Sequence, residues 1–303
     1  MHQDDLIFTP PAKRRLDWRA CLLVAPAVAV LAVFVGYPAV FTLTASLRQI
    51  DIFSGTSRFA WLTVFHDQAT SPRLWRAVLV TLYFAGVYIP ASLLIGYALA
   101  RLIDLAGTQW GPRWRIAFFL PAVIPPAAAA IMWKTVYDGN AGLLNTALGT
   151  LGIPGPEWLH EPYLVIPCIA AACIWQSAGP IAAILSAAMW AMPPEADAMA
   201  RTDGAGRWAR FVHIHLPMLK GPLAVCFLLL IINSLRVFTL ILILTGDGGP
   251  ANWSTNLPFL VYRQAMKEFD LSGASAVSTA IGFFVAIAVL LVHRHTLRGR
   301  EHP

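Results

Sequence analysis

Long apolar runs alternate with short polar stretches along nearly the whole chain. The six longest runs each reach the roughly 20 residues that an α-helix needs to cross a bilayer core. They are Cys21 to Leu47, Trp75 to Ile103, Ile116 to Tyr137, Tyr163 to Trp190, Leu223 to Thr245 and Gly273 to Val292. The pattern predicts an all-α integral membrane protein of about six transmembrane helices, and an even number of spans places both termini on one side. Between the fourth and fifth runs lies a polar, helix-forming insert, Ala191 to Lys220, reading AMPPEADAMARTDGAGRWARFVHIHLPMLK. Pro193-Pro194-Glu195 suits a helix N-terminus, where proline is tolerated and a carboxylate complements the dipole. Gly204 is expected to stop or bend that helix. A second amphipathic segment, Trp208 to Ile214, is expected to end at Leu216-Pro217, where the chain must turn before the next apolar run. The insert then reads as a helix-turn-helix lying on a membrane surface.

Composition strengthens the membrane reading, since 57% of the 303 residues are hydrophobic and only 13% charged. The first run is too long for a signal-peptide core and is read as a retained helix, kinked or ended near Gly36-Tyr37-Pro38. Residues 1–20 are then an N-terminal segment and 21–303 a single transmembrane domain. Orientation follows from Lys and Arg, which are retained on the cytoplasmic side of spans. The N-terminus, the Arg101 to Arg115 loop, the insert and the C-terminal tail together hold fourteen, against five in the opposite loops (Arg48, Arg58, Arg73, Arg263 and Lys267). Both termini and the insert are therefore expected in the cytoplasm. The formal charge of +6 is accounted for by this topology and by anionic lipid head groups, which leaves no call for nucleic-acid binding.

Reactive chemistry is sparse. No Gly-Lys-Ser or Gly-Lys-Thr occurs, so no phosphate-cradling loop for ATP is present. Cys21, Cys168, Cys173 and Cys226 all fall in apolar runs without metal-ligand spacing and read as buried inert thiols. His213 with His215, and His293 with His295, are pairs at i, i+2 that do not share a helix face, so no metal site is expected. Polar residues inside spans usually face a bundle interior or a water-filled path. Lys134, Gln176, Asn233 and Arg236 are the candidates, with Trp133 and Trp175 as aromatic neighbours. The structural alternative is that Lys134 snorkels and the amides tie helices together.

The insert resembles the coupling loop of the membrane subunits of binding-protein-dependent ABC importers. That loop reads Glu-Ala-Ala, three residues, Gly, nine residues, Ile, one residue, Leu-Pro. Gly204, Ile214, Leu216 and Pro217 fall at this spacing, and Asp203-Gly204-Ala205 matches the usual Asp-Gly-Ala. Ala198-Met199-Ala200 stands where Glu-Ala-Ala would, so the family glutamate is absent, with Glu195 and Asp197 in the same turns. A second stretch, Thr245-Gly246-Asp247-Gly248-Gly249-Pro250, then Ser254-Thr255-Asn256-Leu257 and Val261-Tyr262, resembles the sugar and glycerol-phosphate branch. There Ser254 and Thr255 are expected to cap a short helix. Phe269-Asp270 and Gly273 to Ala276 resemble the same branch's approach to its last helix.

The resemblance implies a type I ABC importer permease bundle with a cytoplasmic coupling helix, in a bacterial or archaeal cell membrane. Glu195, Asp197, Ala200, Arg201, Asp203, Gly204, Arg207, Trp208, Phe211, Ile214, Leu216 and Pro217 would contact an ATPase, Trp208 and Phe211 as apolar anchors. Asn233, Arg236, Gln176, Lys134 and Trp175 would line the substrate pathway. The chain itself would carry no cofactor, ATP and Mg being bound by an ATPase dimer. The further partners implied are a second, related permease subunit in a heterodimer and an extracytoplasmic substrate-binding protein, which would meet the Gly139 to Glu161 and Gly246 to Asp270 loops. The competing classes are a secondary transporter or channel, which would show inverted repeats and intramembrane carboxylates, and a membrane-embedded enzyme, which would cluster His, Asp or Glu near a span end.

Overall fold

The structure is a computed structural model that describes residues 18–298. The expected N-terminal segment lies almost wholly outside the described residues, as do the side chains of Cys21, His293 and His295. Among the described residues five helices are long and apolar enough to cross a membrane, and the count is six with one sharply bent pair taken as a broken span. At the centre, α4 (Pro72–Leu105) packs along α8 (Val165–Trp190), with α5 (Gly107–Val123) and α11 (Leu216–Ser234) against their flanks. A helix that is apolar on every face belongs inside an assembly, and in α8 Ile169, Ala172, Ala182 and Leu185 are fully buried. Small residues set the helix spacing. A Cβ on Gly96 of α4 would lie 2.5 Å from Cγ2 of Ile181, and one on Gly179 of α8 would lie 2.6 Å from the carbonyl carbon of Phe118 in α5. Only glycine permits such approaches.

The first span is α1 (Trp18–Leu31) and α2 (Tyr37–Ser46), joined through a π turn, Ala32–Gly36. Its apolar side chains stay exposed, as suits a helix facing lipid, and α2 rests on α14 (Leu271–Arg298). Proline explains the turn. Pro38 has no N–H for the i→i−4 ladder and its ring crowds the preceding turn, and the wider turn, in which Tyr37 N–H reaches the Ala32 carbonyl, absorbs the misfit without a break.

The same device overturns one expectation. The chain does not turn at Leu216-Pro217. α10 (Arg207–Arg210) runs through a second π turn, Phe211–His215, into α11, so that Trp208–Ser234 is one 27-residue helix. Leu216 N–H donates to the Phe211 carbonyl, and the proline follows the π turn at the same offset as Pro38. The second half of the insert is thus the start of the fifth span, and only α9 (Pro194–Thr202) is a separate helix.

Two spans expected to be continuous are broken. Within Ile116 to Tyr137, α5 stops at Val123 and α6 (Pro126–Val136) departs at 91°. Pro125 and Pro126 force this, because the residue before a proline is pushed to extended backbone and Ile124 and Pro125 have ψ of 125° and 140°. Within Leu223 to Thr245, α11 ends at Ser234 and a short α12 (Thr239–Thr245) follows, packed against α6.

The loops opposite the insert hold an element that the all-α reading missed. β1 (Arg48–Asp51) pairs antiparallel with β2 (Thr56–Phe59), Arg48 facing Phe59. Asp51 braces the turn by accepting hydrogen bonds from the Phe53 and Ser54 amides and the Ser54 hydroxyl. Two short helices, α3 (Thr63–Thr70) and α7 (Leu143–Thr150), lie at this hairpin end. The loop after α7 folds around Asn145, whose amide donates to the carbonyls of Gly139 and Pro156 and whose oxygen accepts from Trp158. Ser254 and Thr255 do not cap α13 (Leu257–Tyr262). Asn256 does, its oxygen 3.0 Å from the Phe259 amide, while Ser254 and Thr255 are buried against Gly249 and Gly248.

Candidate functional site

The two broken spans and α8 enclose a cavity of about 560 Å³, within the range of small-molecule sites. Three of the residues expected to line a pathway meet there: Gln176 from α8, Asn233 from α11 and Arg236 from the break between α11 and α12. Lys134 and Trp175 do not line it. Lys134 is exposed in the last turn of α6, and Trp175 stands edge-on to Trp133 at 5.9 Å beside the core. Tyr88, Ser177, Phe238 and Thr239 complete the polar and aromatic wall. These four were missed because only amides and charges were sought inside the apolar runs, and the same rule applied to hydroxyl groups finds three of them.

The wall is ordered by hydrogen bonds. A broken membrane helix leaves carbonyls that water cannot reach and that other groups must satisfy. Gln176 Nε2 donates to the Ile124 carbonyl at 2.9 Å, covering the break in the third span. Asn256, 1% exposed, donates its Nδ2 to the Val237 carbonyl at 2.7 Å, covering the break in the fifth. Gln176 therefore both ties helices together and faces the cavity. The hydroxyls of Ser92 and Ser177 lie 3.0 Å apart, and the Tyr88 hydroxyl faces both of them and Asn233. Cys173, buried, also borders the cavity.

Arg236 differs from its neighbours. It is the only charged residue among those lining the cavity, no carboxylate lies in the wall, and no hydrogen bond or ion pair of its guanidinium occurs among the described residues. Its backbone N–H is satisfied locally by the Asn233 carbonyl at 2.9 Å. Three cations near the loop after α12 are paired by contrast. Arg263 donates to Asn252 and approaches Glu268, which also meets Arg73, and Lys267 pairs with Asp247.

At the opposite end, α9 closes in a Schellman motif. Gly204 has φ +77°, its N–H bonds the Arg201 carbonyl, and the Ala205 N–H bonds the Ala200 carbonyl at 2.9 Å. No atom lies within 4 Å of a Cβ built on Gly204, so backbone conformation rather than crowding selects glycine. Glu195, Arg201, Asp203 and Pro217 are exposed, Ala200 and Ile214 are half-buried, and Leu216 is 37% exposed. Trp208 is 75% exposed, and the half-buried Phe211 lies beside it with ring centres 5.5 Å apart while also packing on Tyr97 of α4 at 5.6 Å. After Trp208, the most exposed large apolar side chain of the insert is Met199, at 68%. It had been passed over as the residue in an alanine's place, yet an apolar side chain on a polar helix was the available signal. The side chains of Asp197 and Arg207 lie outside the described residues.

Residues 69–296 match the family model described as binding-protein-dependent transport system inner membrane component. The lactose transport system permease protein LacF of Rhizobium radiobacter is 30% identical over 287 residues, which cover 92% of this chain and 94% of the relative. The sn-glycerol-3-phosphate transport system permease protein UgpA of Salmonella typhimurium is 28% identical over 296 residues, covering 93% and 95%. Among solved structures, a chain of a bacterial ABC transporter involved in the import of the acidic polysaccharide alginate superposes with a TM-score of 0.79 over 93% of this chain and 96% of that one. At 21% identity this likeness concerns the fold.

Proposed function

Because the chain belongs to the inner membrane components of binding-protein-dependent transport systems, and so is a multi-pass permease subunit of an ABC importer, we propose that its central cavity carries a sugar or glycerol-phosphate-type solute and that α9 couples this path to a separate ATPase. The cavity is the observation that carries the reading. Polar groups from the broken fifth span and from α4 and α8 converge in an otherwise apolar bundle, and polar groups at membrane depth are costly unless they serve a path. The lactose and sn-glycerol-3-phosphate permease relatives support solutes rich in hydroxyl groups, which Asn233, Gln176, Tyr88, Ser177 and Thr239 can bind.

The insert end faces the cytoplasm, as its excess of Arg and Lys requires. There α9 docks in a cleft of the ATPase, with Met199 and Trp208 as apolar anchors, Glu195, Arg201 and Asp203 at the polar rim, and Asp197 and Arg207 beside them. The direct helical connection from Trp208 to the break at Leu235 transmits ATP-driven movement of the insert to the cavity wall as a rigid element. This chain offers one docking helix and an ATPase dimer two clefts, so a second, related permease completes the path. The hairpin end, with its Asn145 loop and the Asp247 to Glu268 network, receives the substrate-binding protein. ATP and Mg belong to the ATPase.

The test is reconstitution with the ATPase, second permease and binding protein, comparing ATP hydrolysis with solute uptake for the native chain and for Gly204→Val. A β-branched residue at φ +77° is strained by about 1–2 kcal/mol, which opens the Schellman end and misaims α9 while leaving the spans inserted. Uptake should fall about tenfold or more relative to hydrolysis, as about 1.4 kcal/mol of lost docking gives tenfold in an equilibrium. Coupled uptake unchanged in Gly204→Val removes the role given to α9, and uptake that persists without ATPase overturns the importer mechanism.

A further inference from the structure

The cavity contains more than hydroxyl-binding groups, and the excess is chemical information. Arg236 sits where span five is broken, accessible to the cavity, with no carboxylate in the wall and no hydrogen-bond or ion-pair partner for its guanidinium among the described residues. Elsewhere the protein pairs its cations when they approach carboxylates, as Arg101 does with Asp104 at 2.7 Å and Arg73 with Glu268 at 3.3 Å. A guanidinium cannot shed its proton to escape a poor environment. It is tolerated at membrane depth only beside water or an opposite charge. Its planar fork matches two oxygens of one oxyanion.

Resting on the transport reading above, we infer that the solute is an anionic carbohydrate or polyol ester, and that Arg236 is the residue selecting it by holding a carboxylate, sulfonate or phosphate group. The neutral groups around it divide the work. Asn233 lies one turn away on the same strand of chain and shares the lining, while Gln176 and Ser177 approach from α8 and Thr239 from the far side of the break. They address hydroxyls at a distance from the anionic group. Gln176 already spends one donor on the Ile124 carbonyl, so its oxygen and second N–H remain for solute. The arrangement therefore offers one strong, charge-specific contact and several weaker, orientation-dependent ones. In such a site, loss of the charged contact discriminates between solutes far more than loss of any one hydroxyl partner.

Two measurements on the assembled importer test this. In the first, ATP-driven uptake of glycerol 3-phosphate and glucuronate is compared with that of glycerol and lactose, for the native chain, Arg236→Lys and Arg236→Gln. We expect uptake of an anionic probe, a loss of about 100-fold in Arg236→Gln and of about tenfold in Arg236→Lys, in line with losing a fork or a whole charge-assisted contact. Uptake of a neutral probe that is indifferent to Arg236→Gln overturns the inference and leaves the importer standing, whereas no ATP-driven uptake of any probe overturns the importer reading and the solute class with it. The second measurement reads the cavity's charge without transport. In Cys173→Ser, Thr239→Cys protein, an anionic sulfonatoethyl methanethiosulfonate should label the new thiol about fivefold faster than its trimethylammonium counterpart, relative to a free thiol, through attraction of one sign and repulsion of the other. Arg236→Gln should bring the ratio to about one. Equal labelling in the native charge state overturns the inference, and is the result if a carboxylate of the second permease neutralises Arg236.

Discussion

Replacing Gly179 by alanine should be among the most damaging one-methyl additions this bundle can receive. A Cβ there would lie 2.6 Å from the Phe118 carbonyl carbon and 3.0 Å from Phe119 Cα, with the carbonyl oxygen nearer still. Carbon atoms in good contact sit about 3.5–4.0 Å apart, so α8 and α5 must separate by about 1 Å. The obstacle is backbone and cannot rotate away, unlike the Ile181 side chain that faces Gly96. Overpacking of this kind costs about 1–3 kcal/mol. For a chain of this size that lowers the unfolding midpoint by about 3–10 °C.

Gly86 supplies the control. It lies in α4 with nothing within 4 Å of a built Cβ, so Gly86→Ala should gain about 0.5–1 kcal/mol from helix propensity alone. Thermal unfolding of both variants in the same detergent should move them in opposite directions. A functional consequence separates this clash from a merely local defect. Gln176 lies one turn from Gly179, and a shift of α8 away from α5 stretches its 2.9 Å bond to Ile124 beyond useful length. The Gly179→Ala protein should therefore lose uptake even below its unfolding midpoint. Truncating Phe118 to alanine should not rescue it, since the carbonyl stays in place. Rescue by Phe118→Ala, or a midpoint for Gly179→Ala at or above the native one, would refute the packing argument.

Asn256→Ala removes both the donor to Val237 and the cap on Phe259, at a cost of about 2–4 kcal/mol for two buried groups left unpaired. Asn256→Asp keeps the cap but sets a carboxylate against a carbonyl, so it should melt lower still, and an aspartate variant as stable as the native chain would exclude the bridging role. Asp138 accepts hydrogen bonds from the Ala141 and Asn140 amides, which hold its carboxyl below the ordinary value of 3.8. Because the folded value is the lower one, the turn's stabilisation is complete above the unfolded value and is lost as pH falls through the folded one. Hydrogen exchange at these two amides, corrected for intrinsic rate, should accelerate below about pH 4 in the native chain, and should show no such pH step in Asp138→Asn.

Much of this was legible because its causes are local. Twenty apolar residues announce a span, and Gly204 announced the end of α9 because left-handed backbone at a helix end favours glycine. The misreading at Leu216-Pro217 was local too. A proline inside a helical pattern is normally a boundary, but a π turn five residues long moves the conflict out of the ladder, and nothing in Phe211 to His215 advertises that turn. Met199 was hidden by its alignment to an alanine, and the packing of Phe211 on Tyr97 was not legible because Tyr97 is far away in sequence. Amphipathic pattern identifies an apolar face but not which neighbour will cover it.

The breaks that build the cavity show where such reading stops. The proline cluster at 121, 125 and 126 makes a break in the third span visible, yet a break in hydrocarbon is tolerable only if a donor covers the freed carbonyl. That donor is Gln176, 52 residues onward. In the fifth span no proline marks the break, and the covering donor, Asn256, lies beyond the loop that follows. Each amide thus has a role that follows from its partner's backbone rather than its own surroundings in sequence. The consequence for function is direct. The Ile124 and Val237 carbonyls are satisfied from the neighbouring elements, so the broken backbone is held in place, and the side chains of Asn233, Arg236 and Thr239 are left for the cavity. A continuous fifth helix would keep its carbonyls within its own ladder and would hold Arg236 and Thr239 in helical register. The break lets the chain set both residues beside Asn233 and opposite α8, which gives Arg236 its place facing a solute.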